Sequence, residues 1–201
     1  MTGILTDGIC GRVRFGRRLY RCRATYDAVL RVQELFRDEA LDQRDKVSLA
    51  VMELVKSPAA RLLTAAEQAL LLQQVYDTQV KVPPRPQISR QGNIRVLDFG
   101  LDAEYIYASF LQAYGLDLID QRGRLHWKKF FALFEGLPDD TKIRQIMRIR
   151  SAEPPRPNKY NQEEIRSLME LKSYYALPVI GGGGERGVDQ LFTALERLAG
   201  S

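Results

Sequence analysis

The sequence predicts a mainly α-helical protein with an N-terminal β-hairpin packed on a helical bundle, followed by a second helical unit. Three observations predict it. Apolar residues recur at helical spacing along most of the chain. Alternation of period two is confined to residues 11–24. A Pro-rich stretch at 83–97 separates two blocks of different character. The 201 residues suffice for one medium domain or two small ones with a real core, and 45% hydrophobic with 27% charged residues is a globular balance. With only 15 glycines and 9 prolines, collagen-like and low-complexity chains are excluded.

Residues 11–24 read Gly-Arg-Val-Arg-Phe-Gly-Arg-Arg-Leu-Tyr-Arg-Cys-Arg-Ala. Gly16-Arg17 is a Gly-first pair that suits a II′ turn and sets Val13 opposite Tyr20. Side chains alternate along a strand, so Gly11, Val13, Phe15, Tyr20 and Cys22 share one face with Arg18. Arg12, Arg14, Arg21 and Arg23 gather on the other face around Leu19. A two-stranded ribbon is marginal alone, so its apolar face is expected to lie on the helices that follow.

Thr25 is a candidate N-cap for a helix over 26–38 carrying Ala28, Val29, Val32, Leu35 and Phe36. Val47, Ala50, Val51, Leu54 and Val55 define a second helix, ended by Pro58. Thr64-Ala65-Ala66-Glu67 is a capping box that opens a third, reaching Thr78. With the hairpin, these make up an expected first unit over 1–82. The stretch 83–97 has no helical period and reads as a linker.

The second unit is expected over 98–178. Asp102 caps a helix with Tyr105, Ile106, Ser109, Phe110, Ala113 and Tyr114, stopped by Gly115 where a left-handed residue is needed. Leu125, Trp127, Phe130, Phe131 and Phe134 form an aromatic helix. Pro138, Asp139 and Asp140 begin another with Ile143, Ile146, Met147 and Ile149, its start matched to the dipole by the two acids. Asn161-Gln162-Glu163-Glu164 is an Asn-led capping box opening a helix with Ile165, Leu168, Met169, Leu171 and Tyr175, and Pro178 closes the block. In residues 179–201 the glycines Gly181 to Gly184 precede an amphipathic helix with Val188, Leu191, Phe192, Leu195 and Leu198.

The composition leaves little room for catalysis or metal chemistry. Cys10 and Cys22 are too few for a disulfide scaffold, and with His126 as the single histidine no zinc site is expected. Every Ser-His or Cys-His arrangement would depend on His126, which sits in the aromatic helix and reads as a packing or surface residue. Carboxylate pairs occur at Asp38-Glu39, Asp139-Asp140 and Glu163-Glu164, the last two at helix starts where the dipole and capping explain them, and glycosidase-like or two-metal chemistry is unsupported. The run Gly181 to Gly184 lacks the Lys-Ser/Thr of a phosphate loop and reads as a linker. No catalytic residues, cofactor or metal are expected. No stretch reaches the roughly 20 apolar residues of a membrane span, and Met1 to Leu5 opens no signal peptide, so a soluble, cytoplasmic protein is expected.

The positive signal is basic. A net charge of +5 concentrates in two patches, the six arginines from Arg12 to Arg23 and the group Lys142, Arg144, Arg148 and Arg150. Arg12, Arg14, Arg21 and Arg23 are therefore candidate contacts to phosphate or to an acidic partner. No reading element such as a helix-turn-helix accompanies them.

Beyond these signals, the segment Asp98-Phe99-Gly100-Leu101-Asp102-Ala103-Glu104-Tyr105-Ile106-Tyr107-Ala108-Ser109-Phe110, with Gln112-Ala113-Tyr114-Gly115-Leu116-Asp117-Leu118, resembles the core signature of the bacteriophage gene-product-fifteen family. Leu125-His126-Trp127-Lys128-Lys129-Phe130, Leu133-Phe134-Glu135-Gly136-Leu137-Pro138, Ile146-Met147-Arg148-Ile149-Arg150 and Leu171-Lys172-Ser173-Tyr174-Tyr175-Ala176-Leu177-Pro178 follow in the family's order. The resemblance implies a phage or prophage protein of long non-contractile-tailed particles, encoded between the major tail protein and the tape measure protein. It implies a non-enzymatic tail-assembly chaperone that binds the tape measure protein until tail-tube subunits polymerise around it. The implied partners are the tape measure protein, the major tail protein, and further copies of the chain or a frameshift-extended form made at the Gly181 to Gly184 codons. Tyr105, Tyr107, Trp127, Phe130 and Phe134 are the expected apolar anchors. The rival reading is a basic nucleic-acid-binding accessory protein acting through Arg12, Arg14, Arg21 and Arg23, with no membrane partner in either case.

Overall fold

The computed structural model describes residues 11–82 and 95–178. Most of the linker 83–97, the glycine run and the C-terminal amphipathic helix lie outside these residues. The architecture is mainly helical, with seven α-helices and one two-stranded antiparallel sheet among the described residues. The chain divides into two compact units, one from residues 11–82 with 119–133 and one from residues 95–118 with 134–178.

The first unit begins with β1 (Arg12–Phe15) and β2 (Arg18–Arg21), paired with Val13 opposite Tyr20 and Phe15 opposite Arg18. Gly16 takes φ 58°, and no non-Gly residue has positive φ among those described, which is the sign pattern of a II′ turn. Val13 and Tyr20 are buried while Arg12, Arg14 and Arg21 are exposed. Cys22 N–H donates to Gly11 O at 2.7 Å, Arg21 N–H to Ser57 Oγ at 2.8 Å and Gln74 Nε2 to Arg14 O at 2.8 Å, so both edges of the ribbon are tied to the unit.

Helices α1 (Tyr26–Arg37), α2 (Gln43–Leu54) and α3 (Ala65–Val75) follow, with a 3₁₀ turn at Pro58–Leu62 and a π turn at Tyr76–Val80. Their apolar stripes meet in a core that includes Val29, Val32, Val51, Leu71, Leu72 and Val75, all at 3% exposure or less. Burying each such side chain stabilises by about 1.5–3 kcal/mol. The capping box is present, with Glu67 N–H on Thr64 Oγ1 at 3.3 Å and Thr64 N–H on Glu67 Oε2 at 2.8 Å. Thr25 stands at the N-cap of α1 without a side-chain cap, whereas Asp42, absent from the sequence reading, caps α2 through Asp45 N–H at 2.8 Å. Residues 119–133 return to this unit. Tyr26 N–H donates to Leu125 O at 3.0 Å and Trp127 N–H to Ala24 O at 2.8 Å. Gly123, at φ 70°, donates its N–H to Asp27 Oδ1 at 3.0 Å.

Helix α5 (Trp127–Glu135) passes from the residues of the first unit to those of the second at Phe134. The second unit holds α4 (Ala103–Tyr114), α6 (Lys142–Ser151) and α7 (Gln162–Tyr174) around buried Ile106, Phe110, Ile143 and Ile146. Gly115 ends α4 with φ 60°, as a left-handed C-terminal residue. Thr141, not the acid pair, occupies the N-cap of α6, and its hydroxyl donates to Pro138 O at 2.6 Å. The orphan amide of Ile143 is capped from another helix, by Ser109 Oγ at 3.1 Å. Asn161 does not cap α7: its Oδ1 accepts from Asn158 N–H at 2.7 Å and its Nδ2 donates to Arg156 O at 2.9 Å, so the preceding loop has captured the side chain.

Candidate functional site

The expected anchors fall into both units and into three environments. Trp127 and Phe130 are 2% and 1% exposed, with Phe130 stacked on Tyr26 at 5.0 Å and on Trp127 at 5.6 Å, so both belong to the core of the first unit. Phe134, 4% exposed, lies in the second unit against Phe99 at 5.4 Å. Tyr105 is half-buried and meets Tyr175 edge-on at 6.1 Å. Tyr107 is half-buried and its hydroxyl donates to Asp117 at 3.1 Å. The three buried rings present no surface to a partner while the units stay folded.

Apolar surface lies elsewhere. No residue of α7 is buried, and Met169, Leu171 and Tyr174 are 51%, 44% and 77% exposed. Tyr174 packs edge-on to Tyr175 at 4.8 Å, and the Lys142 ammonium donates to Tyr175 Oη at 2.8 Å, which raises the lysine's pKa. Together with Tyr105 this is a partly open aromatic cluster ringed by α4, α6 and α7. In the first unit Leu49, Met52, Leu62 and Leu70 are exposed. Helical spacing identifies these positions as apolar but does not distinguish a buried stripe from an open one.

The family-like signature forms a polar hub in the second unit. Asp102, 1% exposed at its side chain, does not cap α4 as expected; it makes a bidentate pair with Arg150, Nη1 to Oδ2 at 2.7 Å and Nη2 to Oδ1 at 2.8 Å. Arg150 also donates to Val96 O at 3.0 Å and, through Nε, to Tyr175 O at 2.6 Å. Asp98 N–H donates to Asp102 Oδ2 at 2.9 Å, and Asp98 Oδ1 accepts from the amides of Gly100 and Leu101. One guanidinium therefore joins the turn before α4, the start of α4 and the end of α7.

His126 is a structural residue of the first unit. Its Nδ1 accepts from Lys128 N–H at 3.1 Å, in the manner of an N-cap for α5, and its Nε2 is buried with no hydrogen-bond partner among the described residues. Burial, with Lys128 and Lys129 close by, pushes its pKa down to about 4, so the ring is neutral at pH 7. Asp139 and Asp140 are exposed, as are Glu163 and Glu164. Among the described residues no group of three or more His, Cys, Asp or Glu side chains is placed to hold a metal ion, and no helix is long and apolar enough to cross a membrane.

The arginine face of the hairpin is formed as the alternation predicts. Arg12, Arg14 and Arg21 are exposed around Leu19, which is itself 53% exposed. Arg23 is half-buried and pairs with Glu53 at 3.2 Å, and Glu53 also accepts from Arg31 at 2.7 Å. These contacts overcome the effect of burial and hold the Glu53 pKa below the usual carboxylate value.

The fold and its surfaces define a small helical protein, with a two-stranded ribbon, that offers apolar and basic groups to its surroundings. The profile of the family described as Bacteriophage Gp15 protein matches residues 5–177, and the chain belongs to that family. The match takes in the hairpin and first helices as well as the signature that begins at Asp98. No curated protein and no solved structure matches the chain.

Proposed function

We propose that the chain is a non-enzymatic tail-assembly chaperone that binds the tape measure protein and keeps it soluble until tail-tube subunits polymerise around it. Membership of the Bacteriophage Gp15 protein family is the observation that carries this reading. Its physical support is the apolar surface of α7, where Met169, Leu171 and Tyr174 lie open to solvent. An amphipathic helix of the partner would lay its apolar stripe on such a face, and burial there competes with self-association of the partner. Tyr105 extends that surface, while Trp127, Phe130 and Phe134 act by keeping their units rigid. The work would take place in the host cytoplasm, with the chain as an oligomer or beside a frameshift-extended form.

A nucleic-acid accessory role is the second reading, and the exposed arginines Arg12, Arg14 and Arg21 favour it. Co-expression with the reading frame immediately downstream, followed by pull-down and sizing at low and high salt, separates the two. A long helical partner soluble only with this chain, in a complex that survives high salt, supports the chaperone. Nucleic acid that co-purifies and is stripped by salt supports the alternative.

A further inference from the structure

We infer that the hairpin carries a second, separate docking site, a cationic cleft for an acidic polypeptide segment. A cleft of about 540 Å³ is lined by Gly11, Arg12, Arg21, Cys22, Arg23 and Lys56. It forms because β2 continues into an isolated bridge between Cys22 and Val55, with Arg23 N–H on Leu54 O and Lys56 N–H on Arg21 O, both within 2.8 Å. That bridge brings Lys56, more than thirty residues along the chain, beside the arginines. Local sequence patterning does not reveal it.

Among the described residues the charge of the cleft is unbalanced. Glu53 is the acid bordering the cluster and is already engaged by Arg23 and Arg31. Among the described residues no carboxylate lies at ion-pair distance from Arg12, Arg21 or Lys56, Glu53 acting on Lys56 only through space, and Arg23 Nε is buried with no hydrogen-bond partner there. Guanidinium groups bind carboxylates through paired N–H donors, so this lining matches glutamate and aspartate side chains. A protein segment fits better than a nucleic acid. Stacking of bases needs aromatic platforms, but Tyr20 is buried and Phe15 half-buried on the opposite face, leaving Leu19 as the exposed apolar group beside the arginines. The ribbon is also held at both edges by Gln74 and Ser57, so it does not project as a free reading element.

The test uses the full chain and a fluorescent decapeptide of alternating glutamate and leucine, with binding followed by anisotropy at about 50 mM and 300 mM salt. The triple variant Arg12→Gln/Arg21→Gln/Lys56→Gln is expected to weaken binding by about tenfold or more. The control Arg17→Gln/Arg18→Gln/Arg61→Gln removes the same charge from exposed positions outside the cleft and is expected to stay within about threefold. A single Lys56→Glu variant, on an exposed residue, is expected to weaken binding by at least about threefold and serves if the triple variant does not fold. Equal losses in both triple variants, no binding of the peptide, or tighter binding of a single-stranded oligonucleotide of equal charge would each overturn the inference.

Discussion

Removing one member of the Asp102–Arg150 pair tests how the second unit is held together. The side chains are 1% and 7% exposed, and the two hydrogen bonds between them measure 2.7 and 2.8 Å. Asp102→Asn keeps the shape and removes the charge, leaving a buried guanidinium with only neutral acceptors, the new amide oxygen and the carbonyls of Val96 and Tyr175, and setting an NH2 group where a carboxylate oxygen had accepted. Arg150→Met removes the cation and leaves a buried carboxylate facing the amide of Asp98. Breaking a buried pair in this way costs about 3–5 kcal/mol, a large part of the roughly 5–15 kcal/mol that holds a domain folded. Replacing both, in Asp102→Leu/Arg150→Met, avoids the stranded charge and is expected to recover at least about 2 kcal/mol relative to the sum of the single changes. Urea unfolding followed by far-ultraviolet circular dichroism gives these values. Single losses below about 1 kcal/mol, or a strictly additive double variant, would refute the description of the pair as the hub of this unit.

Two further outcomes follow from buried caps. His126 has a folded pKa of about 4 against an ordinary value near 6.5, so the unfolded chain binds the extra proton between those pH values. Its contribution is complete above about pH 7 and is lost as pH falls through that window, on the order of 1–2 kcal/mol once partial solvent contact of the ring is allowed for. His126→Asn keeps an acceptor for Lys128 N–H, so the variant should gain on the wild type by that amount between pH 7 and pH 4, and parallel pH–stability curves would contradict the neutral, buried state of the ring. Ser109→Ala leaves the Ile143 amide buried without an acceptor and should cost about 1–3 kcal/mol in thermal or urea unfolding, whereas a loss within about 0.5 kcal/mol would show that α6 does not need this cap.

What the sequence discloses is local, and what it conceals is tertiary. The hairpin register follows from Gly16 and strict alternation, the capping box from Thr64 and Glu67, and the end of α4 from Gly115, because each depends on neighbours within a few residues. Asp102 reads as a cap since aspartate before a helix usually is one, yet its partner Arg150 lies 48 residues away. Ser109 and Ile143 are 34 residues apart, and no periodicity links them. Trp127, Phe130 and Phe134 illustrate the limit for the candidate site, because helical spacing of aromatics is the same for a core as for an interface. Lys56 joins the arginines only through the Cys22–Val55 bridge.

Co-expression with the reading frame immediately downstream tests the central claim most directly, with the chain present, absent, or carrying Met169→Ser/Leu171→Ser/Tyr174→Ser on α7. The chaperone reading predicts that the long partner is recovered in the soluble fraction with the wild-type chain, in a complex stable to high salt, and that the α7 variant, folded by circular dichroism, recovers much less. A partner equally soluble without the chain, or one that never associates with it, would contradict the reading.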